Sequence, residues 1–204
     1  MSIEYHVGDL PADVDLGGIV AIDTETLGLD PRRDRLCVVQ MSAGDGHCHV
    51  VHFPTPHYEA PHLLRMLNDP NVLKLFHFAR FDLAVLRNYL GADCRPVYCT
   101  KVASKIARTY TDRHGLKHLC HELLGIDLSK QMQSSDWGAP RLSQAQLDYA
   151  SHDVLHLHAL RERLEEMLER EQRHHLLQPC LDFLPHRAIL DLAGWSSTDI
   201  FAHS

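Results

Sequence analysis

Residues 19–30, IVAIDTETLGLD, constrain the fold more than any other part of the chain. Ile19, Val20, Ala21 and Ile22 are apolar and mostly β-branched, which suits a buried strand. Asp23, Thr24 and Glu25 break the run, and Gly28 ends it. Side chains two apart on a strand share a face, so Asp23 and Glu25 point the same way from the strand's end. Two carboxylates aimed at one spot repel each other unless a cation lies between them, and a hard divalent ion with oxygen ligands meets that need. A lone D-x-E is more often a solvated strand end. The metal reading therefore requires further acids converging from elsewhere in the chain.

Around this stretch the pattern predicts strands first and helices later. A short edge strand is expected at 3–7, and strands at 36–42 and 47–53 form an antiparallel meander with the one ending at Asp23. A short helix at 62–67 leads to a strand at 73–78. An amphipathic helix at 79–90, stopped by Gly91, carries Asp82 in its first turn. A strand at 97–100, a helix from 101 to 108 and a helix at 114–124 closed by Gly125 follow. After a polar loop at 128–140, Ser143 caps one long helical stretch running to about Glu171, and a second amphipathic stretch spans 176–192. The expected class is α/β, a mixed sheet flanked by helices.

The 204 residues suffice for one domain, read as 1–170, with a helical segment at 171–204 packed on it or on a neighbouring subunit. No apolar run is long enough to span a bilayer, and no charged-then-apolar leader is expected near Met1. Six scattered cysteines without a C-x-x-C pair predict a reduced, cytoplasmic protein. The formal charge of −7 argues against a broad basic face for long nucleic acid. It leaves room for a nuclease, because metals cancel acid charge locally and a very short substrate needs few phosphate contacts.

Tyr149 and Asp153 are four residues apart and share a helix face. With Asp23, Glu25 and Asp82 they complete the inventory for a site of two divalent ions, Mg²⁺ or Mn²⁺, held about 3.5–4 Å apart for phosphodiester hydrolysis. The Tyr149 hydroxyl suits orienting a water, not deprotonating it unaided. Rival groupings are weaker. His152 and His156 imitate a zinc-protease pair, but Asp153 is too short for the base and no third ligand is evident. Cys48, His49 and His52 read as ordinary strand positions, and His114, His118 and His121 as a solvated helical face.

The segments IDTETLGL, FHFARFDLAVL and LDYASHDVLHL resemble the three motifs of the DEDD 3′–5′ exonuclease superfamily. The Y-x-x-x-D spacing marks the tyrosine subclass; the histidine subclass would carry its His at the position of Asp148. Residues 104–137 resemble ribonuclease D, whose additional C-terminal helical domains have no counterpart expected here. TDRHGLK at 111–117 and the ending GWSSTDIFAHS resemble the short nanoRNase C (NrnC) group. The resemblance implies an RNase H-like (DnaQ-like) exonuclease fold and hydrolysis of dinucleotides and very short oligoribonucleotides to nucleoside 5′-monophosphates. It also implies a homo-oligomer, an octameric ring. By the same carry-over Asp23, Glu25, Asp82 and Asp153 are the metal ligands and Tyr149 the catalytic tyrosine. Leu29 would wedge between bases, Thr26 and Leu27 would line the 3′-terminal nucleotide, and Thr24 would also bind substrate. His77, Phe78, Arg80 and Phe81 would touch substrate beside Asp82, and Ser134, Ser135 and Trp137 would approach the 5′ side. Two alternatives stay open: a general exonuclease on longer RNA or DNA, since nothing in the motifs reads the 2′-hydroxyl, and a non-catalytic nucleic-acid-binding protein on the same fold.

Overall fold

A computed structural model describes residues 2–128 and 135–203. Its centre is a six-stranded sheet in the order β1-β4-β3-β2-β5-β6. The strands are β1 (Ser2–Val7), β2 (Ile19–Thr26), β3 (Leu36–Ser42), β4 (His47–His52), β5 (Leu73–Phe76) and β6 (Val97–Cys99). The expected meander holds: β2 pairs antiparallel with β3, and β3 with β4. The other three pairings, β1 with β4, β5 with β2 and β6 with β5, are parallel. The sheet is therefore mixed, with β2 inside it. Val20, Ala21 and Ile22 are fully buried, and β2 runs three residues past Asp23, so the acids sit on the strand rather than after it.

The helices are α1 (Pro61–Asn68), α2 (Ala79–Leu90), α3 (Thr100–Ala107), α4 (Leu116–Leu119), α5 (Gln144–Leu155), α6 (Leu157–Arg170) and α7 (His174–Leu190). α4 continues into a wide turn, Cys120–Leu124, that ends on left-handed Gly125. The long stretch expected after Ser143 is two helices. The chain bends at His156, and Leu157, Leu160, Leu164 and Leu168 then bury a second apolar stripe. α5 packs across β2, β3 and β4, whereas α2 lies against the sheet and against α7. Among the described residues no helix is long and apolar enough to cross a membrane.

α7 carries Pro179 and Pro185 inside the helix, each removing a backbone donor, yet Leu177, Leu181, Leu184 and Ala188 are buried and hold it in place. Beyond it Asp191 accepts from Arg80 of α2 at 2.5 and 2.7 Å and from Arg187 at 2.6 Å. Arg80 also donates to the Ser196 carbonyl at 2.7 Å. The expected substrate role of Arg80 is thereby corrected: its guanidinium ties α2 to the C-terminal segment, and it does not line the cleft described below.

Candidate active site

Strand geometry divides the residues of β2 between two partners. Asp23 and Glu25 face α5, which brings Asp153 to them. Carboxylate oxygens of Asp23, Glu25 and Asp153 lie within 4.8 Å of one another. Thr24 points the other way, and its hydroxyl donates to Asp82 at 2.7 Å from the first turn of α2. Asp82 thus stands beside the other three acids, close enough for its charge to act on Asp23 and Glu25. Between Glu25 and Thr26 the pairing with β3 shifts register, and the chain leaves the sheet there. Gly28 follows, where any Cβ would fall 2.3 Å from Asp34 Oδ2. The Gly28 position admits no side chain because the Asp34 carboxylate is fixed by Arg33 and the Asp30 amide.

Gln40 is a member of the site that sequence reasoning missed. It pairs with Asp23 across β3, is fully buried, and donates to Asp23 Oδ2 at 2.7 Å. The signal was present: one amide inside the apolar run LCVVQMS needs a buried partner.

All four acids are pushed toward the protonated form. Burial raises Asp23 and Glu25 well above the usual carboxylate range, and repulsion from the neighbouring carboxylates adds to it. Asp82 rises to about 7 through burial, opposed by the Thr24 hydrogen bond. Asp153 also rises to about 7 through burial, opposed by a hydrogen bond from Tyr149. The Tyr149 phenol is itself raised by burial and the surrounding negative charge, so it is a neutral donor to Asp153. A half-buried cluster of hard oxygen donors that resists ionisation without counter-charge is the donor set a divalent cation requires.

Asp23, Glu25 and Asp153 form the floor of a cleft of about 850 Å³, with Asp82 buried behind Thr24. Leu27 and Leu29 project from one wall, Leu29 with 88% of its surface exposed. Phe78, in a left-handed conformation (φ 70°) at the head of α2, turns its ring outward beneath the Lys101 ammonium, 4.2 Å from the centroid. Phe81, Thr26 and Ser135 also line the cleft. His77 does too; its Nδ1 lies 2.9 Å from the Thr100 hydroxyl, and burial, then Lys101, press its pKa down to about 3. The Thr26 hydroxyl donates to the Gly28 carbonyl, so both threonine hydroxyls serve the protein itself. Trp137 is 1% exposed, its ring 6.1 Å from that of Tyr149, which makes it packing behind the tyrosine more than open wall. Ser134 lies outside the described residues.

The opposite wall was not foreseen. Lys101, Leu116, Lys117 and His118 complete the cleft; His118 is exposed, as expected, and its exposed face borders the cleft. His114 is corrected: it precedes α4 and meets the Ser104 hydroxyl at 2.9 Å. Two cationic side chains in an acidic protein, facing a carboxylate floor, suit a phosphodiester.

Residues 9–169 match the family model described as 3′-5′ exonuclease. The chain is 36% identical over 154 residues to ribonuclease D of Granulibacter bethesdensis, an overlap of 76% of this chain but only 38% of that protein. Over the full length of both chains it is 56% identical to Brucella melitensis NrnC bound to pGG, with a TM-score of 0.96. NrnC from the same organism with bound Mg²⁺ is 54% identical, with a TM-score of 0.94 over both full chains. The convergent acids, the tyrosine and these matches agree: the chain belongs to the 3′–5′ exonuclease family and is of the ribonuclease D and NrnC type.

Proposed function

We propose that this chain hydrolyses dinucleotides and other very short oligoribonucleotides from the 3′ end, releasing nucleoside 5′-monophosphates. The observation that carries the reading is the cleft itself: Asp23, Glu25 and Asp153 at its floor, Asp82 buried behind them, and about 850 Å³ between apolar and cationic side chains. Pockets of about 300–1,000 Å³ enclose most of a small ligand's surface, and a dinucleotide is of that class. The Brucella relative captured with pGG supports the same scale.

Asp23, Glu25 and Asp153, with Asp82 beside them, would hold two divalent ions, Mg²⁺ or Mn²⁺. Ions bound there supply Lewis acidity and positive charge to phosphodiester hydrolysis. The chain's own groups do the rest. Gln40 fixes the orientation of Asp23. The Tyr149 hydroxyl, kept protonated, hydrogen-bonds the attacking water and aligns it. Lys101 and Lys117 offset phosphate charge from the far wall. Phe78 and Leu29 offer apolar surface to bases, and both are exposed before any base arrives. Neutral His77 is a hydrogen-bonding partner for a sugar or base without adding charge. We include in the proposal that the chain acts as a homo-oligomer, an octameric ring by resemblance.

The test is a time course on 5′-labelled RNAs of two, three and seven nucleotides in Mg²⁺, with Asp23→Ala as the blank. Faster cleavage of the dimer supports a closed site dedicated to the shortest substrates. Equal or faster trimming of the heptamer, with dimers accumulating, overturns it in favour of a general exonuclease, and matching DNA strands then report whether the sugar matters.

A further inference from the structure

On β1 and β4, well away from the acids of β2, Glu4, His6 and His49 come together. The parallel register sets Glu4 opposite His49, and His6 lies two residues further along the same face of β1. His6 Nε2 is 3.1 Å from His49 Nδ1, and the rings stack at 5.4 Å between centroids. His49 Nδ1 is 3.7 Å from Glu4 Oε2, and one ligand atom from each residue lies within 4.8 Å of the other two. Zinc–nitrogen and zinc–oxygen bonds of about 2.0–2.2 Å at tetrahedral angles set ligand atoms about 3.4 Å apart. The two observed separations bracket that value.

We propose that Glu4, His6 and His49 bind one divalent transition ion, with Zn²⁺ the best fit, and that the ion clamps edge strand β1 onto β4. Two imidazole nitrogens and one carboxylate favour zinc over the oxygen-seeking Mg²⁺. In the metal-free protein His6 Nε2 and His49 Nδ1 share a hydrogen bond, which an ion between them would replace. The exposed Glu4 leaves the fourth coordination position to water. Cys48 and His52 take no part: they alternate to the other face of β4, where the Tyr5 hydroxyl meets His52 Nδ1 at 2.6 Å. β4 is the only sheet partner of β1 among the described residues, so an ion bridging the two strands adds to the ladder that holds the edge.

The experiment titrates Zn²⁺ into the whole protein in excess Mg²⁺, which loads the acids of the cleft, against a chromophoric zinc chelator. One zinc per chain is expected, unchanged in Asp23→Ala. Affinity should fall about tenfold or more in His49→Ala and in Glu4→Gln, since each lacks one of three protein ligands. Mg²⁺-dependent RNA hydrolysis should be unchanged in both. Wild-type protein that takes up no zinc overturns the proposal. So does zinc bound equally by wild type and both variants, or lost in Asp23→Ala. Should His49→Ala fail to fold, Glu4→Gln alters an exposed side chain and decides the question alone.

Discussion

At the scale of single residues, the acids trade stability for chemistry. Among the described residues Asp23 is held beside three other carboxylates, with Gln40 as its neutral donor and no cationic partner in contact. Asp23→Ala is expected to abolish RNA hydrolysis while leaving the metal-free melting temperature equal or higher, because a repelling buried carboxyl is removed. Wild-type-like turnover in that variant would displace Asp23 from the reaction. Tyr149→Phe removes only a hydroxyl that the Asp153 carboxylate receives, so kcat should fall on the order of a hundredfold with metal affinity nearly unchanged. An unchanged kcat takes the tyrosine out of the mechanism. His77 makes a pH prediction with a definite sign. Its folded pKa, about 3, lies below the ordinary histidine value. Between the two the unfolded chain binds the extra proton, so His77 adds stability above about pH 6.5 and withdraws it as pH falls, by at most about 1.4 kcal/mol per pH unit. Denaturant unfolding at pH 7 and pH 4.5 should therefore show a larger acid loss in wild type than in His77→Gln. Equal losses would mean that the imidazole is not withdrawn from water.

At the scale of elements, the reactive side chains are only as well placed as the helices and strands that carry them. α5, which holds Tyr149 and Asp153, starts at a capping box: the Ser143 hydroxyl accepts from the Gln146 amide, and the Gln146 side chain accepts from the Ser143 amide at 2.9 Å. The same Gln146 side chain donates to the Asp136 carbonyl at 3.0 Å, and so binds the Trp137 segment to the helix. Ser143→Ala should cost about 1 kcal/mol in unfolding free energy, the usual worth of an N-cap. Gln146→Ala should cost at least as much and lower kcat as well, because Trp137 loses its tether behind Tyr149; a change in stability alone would show that the tether is dispensable. What was legible in the sequence follows the same line. β2, β3, α2 and the Ser143 cap are local patterns of period, acid and cap, and they carry Asp23, Glu25, Asp82, Tyr149 and Asp153. The pairing of β1 with β4 was not legible, since nothing local marks a parallel partner some 45 residues away. The bend at His156 was hidden because apolar positions continue across it, from Val154 to Leu157 and Leu160. Lys117 and His118 of the far wall lie on a helix too short to show a face.

At the scale of the molecule, the C-terminal segment is firmly attached yet leaves apolar surface in water. Arg80 and Arg187 converge on Asp191, and the segment beyond is held through the Ser196 and Thr198 carbonyls. Phe201 touches Phe183 at 5.7 Å between centroids but remains 77% exposed, and Trp195 and Ile200 are exposed beside it. Large side chains gain about 1.5–3 kcal/mol each on full burial, so three exposed on one short segment favour contact with another surface. A second copy of the chain satisfies this under the ring proposed above, because every copy presents the same patch in the same geometry. Light scattering at micromolar concentration should then give a mass several times that of one chain, and Trp195→Ser with Phe201→Ser should reduce it. A wild-type monomer would remove the assembly from the proposal. A variant that stays assembled would move the interface to another face. The double variant also separates assembly from chemistry, since neither residue lines the cleft. If its monomers still cut dinucleotides at the wild-type rate, the site is complete within one chain. If activity falls along with the mass, neighbouring copies shape the cleft.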